Sequence, residues 1–107
     1  MKKIRIGKDI AIRWEITTNG EPASLENENL YIEMKDPKGN LVQIEEYDIE
    51  GNVISIGLKG TAFVYLGLYN LTLWKNKGED GQTVVDAVDA FKLVKYTNEE
   101  NYDRSYY

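Results

Sequence analysis

A chain of 107 residues with 42% apolar side chains has enough material for one core, since single domains run to about 100–150 residues. Thirteen Lys and Arg against eighteen Asp and Glu leave a net charge of −5, the wrong sign for a nucleic-acid backbone or an anionic membrane surface, both of which are bound by basic side chains. The absence of cysteine and histidine excludes disulfides, thiolate and imidazole metal ligands, and Ser-His or Cys-His nucleophile systems.

Met1, Lys2 and Lys3 have the charge of a signal-peptide start, but Arg5, Lys8, Asp9 and Arg13 interrupt the apolar segment that would have to follow. The expectation is a protein made in the bacterial cytoplasm without a signal peptide. Lys3 to Ile6 reads as a short edge strand and Asp9 to Thr17 as a clear one, with Ile10, Ile12, Trp14 and Ile16 on one face and Ala11, Arg13 and Glu15 on the other. Asn19 and Gly20 end it, and the polar stretch from Glu21 to Asn29 reads as a surface crossover.

Leu30, Ile32 and Met34 alternate with Tyr31, Glu33 and Lys35, and Asp36, Pro37, Lys38 and Gly39 then suit a type I turn into a partner strand from Asn40 to Tyr47. A tight turn at Glu50, Gly51 and Asn52 leads into Val53 to Lys59. Gly60 to Leu66 is too apolar for a free loop, because Phe63, Tyr65 and Leu66 need cover; it is predicted to tuck across one end of the fold, with a helical turn after Thr61.

Gly67 breaks the chain, and Tyr69, Leu71 and Leu73 then fall on one face of the next strand, Leu68 to Lys75. A tyrosine at the start of such a strand is the pattern of a tyrosine corner. A glycine-containing loop from Asn76 to Gln82 precedes a long last strand, Thr83 to Tyr96, anchored by Phe91 and Leu93 and predicted to bend near Asp86 to Asp89. The division expected is a single β domain over residues 1–96 and a flexible tail or linker stub over 97–107. About seven short strands without intervening helices point to an all-β, immunoglobulin-like antiparallel sandwich, with a small barrel as the alternative.

The candidate chemistry is sparse. Asp86 and Asp89, with Glu79 and Asp80 nearby, offer carboxylates for acid–base work or a calcium site, yet their spacing matches no EF-hand loop and chance neighbours are expected in a chain with 29% charged residues. The acidic stretch of Glu26, Glu28, Glu45, Glu46, Asp48 and Glu50 reads as a solvated face that keeps strand edges from sticking. The three serines have no glycine elbow around them, and Asn70, Leu71, Thr72 matches the glycosylation triplet only inside a predicted strand. No catalytic residue, metal ligand or cofactor emerges, and the expectation is a protein that is not an enzyme. Trp14, Tyr31, Tyr47, Tyr65, Trp74 and Tyr96 are split between faces by strand alternation. Trp14 sits with three isoleucines and, like Tyr69, Leu71 and Phe91, is assigned to the core, whereas Trp74, out of phase with Leu71 and Leu73, is the interface candidate together with Tyr31 and Tyr65.

The block Leu66 to Leu73, the Gly78 to Gly81 loop and Asp86 to Val94 resemble the closing half of small immunoglobulin-like modules in tail, baseplate or fibre proteins of bacteriophages and prophages, especially those of Bacteroides-type gut bacteria. Ile6 to Asp9, the Ile10 to Ile16 strand and Asn19 to Pro22 look like the start of baseplate-type N-terminal modules. The resemblance implies a structural role in a virion, with other virion subunits or further copies of the chain as partners and neither nucleic acid nor membrane. A carbohydrate- or ligand-binding module of a gut bacterium that stacks its ligand on Trp74 is the alternative.

Overall fold

The computed structural model describes residues 2–95, so the expectations for Tyr96 and for the tail over 97–107 lie outside the described residues. Ten strands follow one another: β1 (Lys3–Arg5), β2 (Ile10–Glu15), β3 (Thr17–Thr18), β4 (Glu21–Pro22), β5 (Leu30–Lys35), β6 (Leu41–Ile44), β7 (Asp48–Glu50), β8 (Val53–Leu58), β9 (Gly67–Lys75) and β10 (Thr83–Val94). The one helical element among the described residues is a 3-10 turn at Gly60–Ala62, within the segment predicted to carry it. Among the described residues the fold is all-β and no sheet closes into a barrel.

A five-stranded sheet has the order β1-β10-β9-β5-β6, and a three-stranded sheet the order β2-β8-β7. Pairing is antiparallel except between β1 and β10, which run parallel. The period of two dictates the core, because every second residue of a strand faces the same side. From the larger sheet, Ile32, Met34, Tyr69, Leu71, Leu73, Phe91 and Leu93 meet Ile10, Trp14, Ile54 and Ile56 of the smaller one in a single cluster. Ile16, Ile32, Ile54, Leu71 and Leu73 are fully shielded from water, each burial stabilising by about 1.5–3 kcal/mol. Ile12, on the same face of β2, is half-buried and packs against the cluster.

Three local outcomes refine the reading from sequence. Asn19 and Gly20, with φ of +53° and +82°, do more than end a strand: they fold Thr17 and Thr18 back onto Glu21 and Pro22 as a small hairpin, which is what consecutive left-handed residues do. The following crossover is not wholly superficial, because Leu25 is buried. The turn at residues 36–39 forms its expected bond, the Gly39 amide donating to the Asp36 carbonyl at 3.0 Å. The Asp36 carboxylate also accepts from the amides of Lys38 and Asn40 and from the Asn40 side chain. Desolvation alone would raise the pKa of this carboxyl, but those hydrogen bonds together outweigh it and hold the group below its ordinary value.

β10 departs from regular pairing between Val84 and Asp86 and again between Asp89 and Phe91. These irregularities let one long strand serve two tasks: its first half reaches the smaller sheet through Asp86, and its second half carries Phe91 and Leu93 into the core.

Three substitutions test this packing by urea unfolding. Leu71→Ala is expected to lower stability by about 2–5 kcal/mol, as for other buried leucines. Gly60→Ala is expected to destabilise strongly, because its new Cβ would lie 2.3 Å from the Gly7 carbonyl oxygen, whereas Gly57→Ala, which meets nothing within 4 Å, is expected to be neutral or mildly stabilising.

Candidate functional site

The outer face of the five-stranded sheet carries the first concentration of aromatic and charged side chains. Tyr31 on β5 and Trp74 on β9 are direct cross-strand partners, close enough for their rings to interact. Asn76, with a φ of +56°, reverses the chain just past β9, and its amide is tied to the Asn29 carbonyl at 2.8 Å. Lys77 folds back so that its Nζ lies 4.3 Å from the Tyr31 ring centre and 4.9 Å from that of Trp74. Glu33, two residues on from Tyr31 and therefore on the same face, pins that ammonium at 2.9 Å. The result is a compact stack with its cation already in place, an arrangement worth about 0.5–2 kcal/mol according to its desolvation.

Trp74 is therefore half-buried rather than openly presented, and its Nε1 is buried without an acceptor among the described residues. Beside the stack the sheet surface dips between Glu33, Lys35, Leu41, Asn70, Thr72 and Asp89. Asn70 Nδ2 donates to Asp89 Oδ1 there at 2.6 Å. A flat sugar ring approaching Tyr31 and Trp74 would have to displace Lys77 from the position Glu33 gives it.

A second concentration lies at the corner before β9. The Tyr69 ring is stacked on Phe91 at 4.8 Å between centroids and meets the edge of Phe63 at 5.3 Å. From inside this aromatic cluster the Tyr69 hydroxyl donates to the Tyr65 carbonyl at 2.7 Å, four residues upstream, the bond that defines a tyrosine corner. Burial raises the pKa of this phenol above the ordinary 10.0, since desolvation penalises the phenolate.

The clasp fixes the backbone at Tyr65 and leaves the side chains around it outside. Val64, Tyr65 and Leu66 are 68%, 40% and 49% exposed. The prediction that Tyr65 and Leu66 are covered is thus overturned: Phe63 alone fills the inward position. A Cβ at Gly67 would come within 3.0 Å of the Pro37 ring, and the Lys38 ammonium stands 5.6 Å from the Tyr65 ring centre. The interface candidates Tyr31 and Trp74 are thereby brought together, and Tyr65 is separated from them, at the opposite end of β9.

The carboxylates singled out from sequence are dispersed. Asp86 accepts the Trp14 indole N–H at 2.9 Å, Asp89 is bonded to Asn70, and Glu79 accepts from Asn29 at 3.2 Å. Among the described residues no group of three His, Cys, Asp or Glu is placed to hold a metal ion. The Trp14–Asp86 bond joins β2 to β10 across the two sheets and went unread in the sequence. Its signal is an acid set between Val85 and Ala87 in the apolar first half of β10, where a carboxylate requires a donor. The Lys77 stack carried no comparable signal, because it depends on a backbone reversal at Asn76.

Removing either clasp has a measurable effect. Tyr69→Phe leaves the Tyr65 carbonyl without its donor and is expected to lower stability by about 1 kcal/mol. Because the folded-state pKa of Tyr69 is raised, its contribution to stability is complete below about pH 10, the unfolded value, and is lost as pH rises through the folded value; pH-dependent melts of wild type and Tyr69→Phe should differ in that alkaline window and run parallel near neutrality. Asp86→Ala strands the Trp14 N–H in the core and is expected to lower stability by about 1–3 kcal/mol in urea unfolding.

No protein-family model matches the chain, and no curated protein matches it.

Proposed function

We propose that this chain is an immunoglobulin-like structural module of a phage or prophage virion, a tail, baseplate or fibre component that works by surface contact rather than by catalysis. The strand order supports the immunoglobulin-like part: β10-β9-β5-β6 opposite β2-β8-β7 corresponds to the G-F-C-C′ and B-E-D orders of that architecture. The Tyr69 hydroxyl bond at the start of β9 falls where that fold keeps its tyrosine corner. The virion setting rests on the resemblance carried by residues 66–94 and 6–22.

One observation carries the contact role. Val64, Tyr65 and Leu66 form an exposed apolar tripeptide whose backbone is locked from beneath by the Tyr69 clasp. Interfaces favour aromatic anchors such as Tyr65, and a backbone that is already fixed loses little conformational entropy when it is covered. The partners in this reading are other virion subunits or further copies of the chain.

A second reading, a carbohydrate-binding module, is favoured by Trp74, whose Nε1 is buried without an acceptor among the described residues beside Tyr31. The Lys77 ammonium over both rings opposes it, since it occupies the stacking surface.

Mass spectrometry of purified phage particles is expected to find peptides of this chain with the other structural proteins; particles with a full set of structural proteins and none of its peptides would contradict the proposal. On a glycan array, neither the wild type nor Trp74→Ala is expected to bind. Wild-type binding that disappears in Trp74→Ala would favour the carbohydrate reading instead.

A further inference from the structure

The two ends of β9 carry opposite charge. Around its start, the register places Leu93 beside Gly67 and Arg5 beside Val94, and Arg5, Lys8, Lys38 and Lys59 are all exposed at this end. The carboxylates there are engaged: Asp9 accepts from the Gly60 amide at 2.8 Å and faces Lys59, and Asp36 is bonded within its turn. Around the finish of β9, Glu15 and Glu50 flank Val53 in the smaller sheet, and Glu21, Glu28 and Glu79 are exposed on the segments beside it. Lys75, at this end, is 3.3 Å from Glu28.

Each end also has an apolar element of opposite shape. The basic end projects the Val64-Tyr65-Leu66 corner. The acidic end has a cleft of about 490 Å³ between the β4 segment and the start of β10, with Pro22, Ala23, Leu30 and Val84 among its lining residues; Glu21 and Glu28 contribute carboxylates and Lys75, paired with Glu28, one ammonium, which leaves the cleft with a net negative charge. This volume lies within the roughly 300–1,000 Å³ range of binding clefts, and Val84 is 46% exposed.

We infer that copies of this chain associate head to tail, the Val64-Tyr65-Leu66 corner of one seating in the β4–β10 cleft of the next, with Lys38 and its basic neighbours facing Glu21 and Glu28. The occupant is a second copy because projection and cleft, and cation and carboxylate, lie on one molecule at opposite ends. A contact of this kind is heterologous: each copy added leaves one free corner and one free cleft, so growth is linear rather than closed at two. Charge complementarity sets orientation and encounter rate, and the apolar corner supplies the buried area. The inference rests on the assembly reading above and names its partner.

Sedimentation of the full chain over a concentration series tests it. The weight-average mass is expected to rise past twice the monomer mass without a plateau at the dimer, and to fall at high salt, where surface charge is screened. A corner variant, Val64→Asp with Leu66→Asp, and a cleft variant, Glu21→Lys with Glu28→Lys, should each be monomeric alone. Mixed in equal amounts they should form a dimer and nothing larger, since one intact corner and one intact cleft remain. All the substituted residues are exposed, and matching thermal melts would certify both variants as folded. Should a variant fail to fold, Lys38→Glu in the wild-type background, with its expected severalfold weaker association, replaces it.

A strict monomer at every concentration, a dimer that ignores both variants, as pairing through the open β6 edge would give, or a mixture of folded variants that stays monomeric would each overturn the inference. Loss of self-association in a protein still found in phage particles would remove this inference and leave the assembly reading standing. Head-to-tail chains formed by a protein missing from particles would do the reverse.

Discussion

The hydroxyl of Tyr69 lies at the tip of a ring packed between Phe63 and Phe91, and a phenol in such surroundings requires an acceptor. The Tyr65 carbonyl supplies it at 2.7 Å. Much else follows from that requirement: the crossover from β8 to β9 must run close over the end of the core, Phe63 must turn inward to complete the aromatic cluster, and the three residues after it are left facing water. The exposed corner is thus a consequence of how the core is closed rather than a separate decoration.

The opposite end is closed by different chemistry. Trp14 is buried in the smaller sheet at 4% exposure and satisfies its indole through Asp86 of the larger one. The Trp14–Asp86 bond ties one sheet to the other, whereas the Tyr69–Tyr65 bond fixes the crossover that leads into β9. Polar bonds of this kind add modest net stability but penalise arrangements that would leave their groups unsatisfied. Both bonds are made by aromatic residues, which bury a large apolar area while keeping one polar atom to be placed.

The inward faces were legible in the sequence wherever alternation was strict: Ile32 and Met34, Ile54 and Ile56, and Tyr69, Leu71 and Leu73 are all buried. Tyr69, singled out in the sequence by the glycine break and the alternation after it, makes the hydroxyl bond to the Tyr65 carbonyl. What escaped was set by left-handed residues and long-range pairing. Asn19 and Gly20 make a hairpin where the sequence predicts only a strand end, and Asn76 brings Lys77 back over Tyr31 and Trp74. Tyr65 and Leu66 were misjudged because apolarity predicts a need for cover without saying whether the same chain provides it.

The account depends most on the aromatic closure around Tyr69, and proton NMR of the intact chain examines it directly. Nuclear Overhauser contacts between the rings of Tyr69, Phe63 and Phe91, with a Tyr69 hydroxyl proton protected from exchange with water, are the predicted result. A Tyr69 ring with no contacts to either phenylalanine, and a phenol exchanging and titrating as a solvent-exposed tyrosine does, would contradict it.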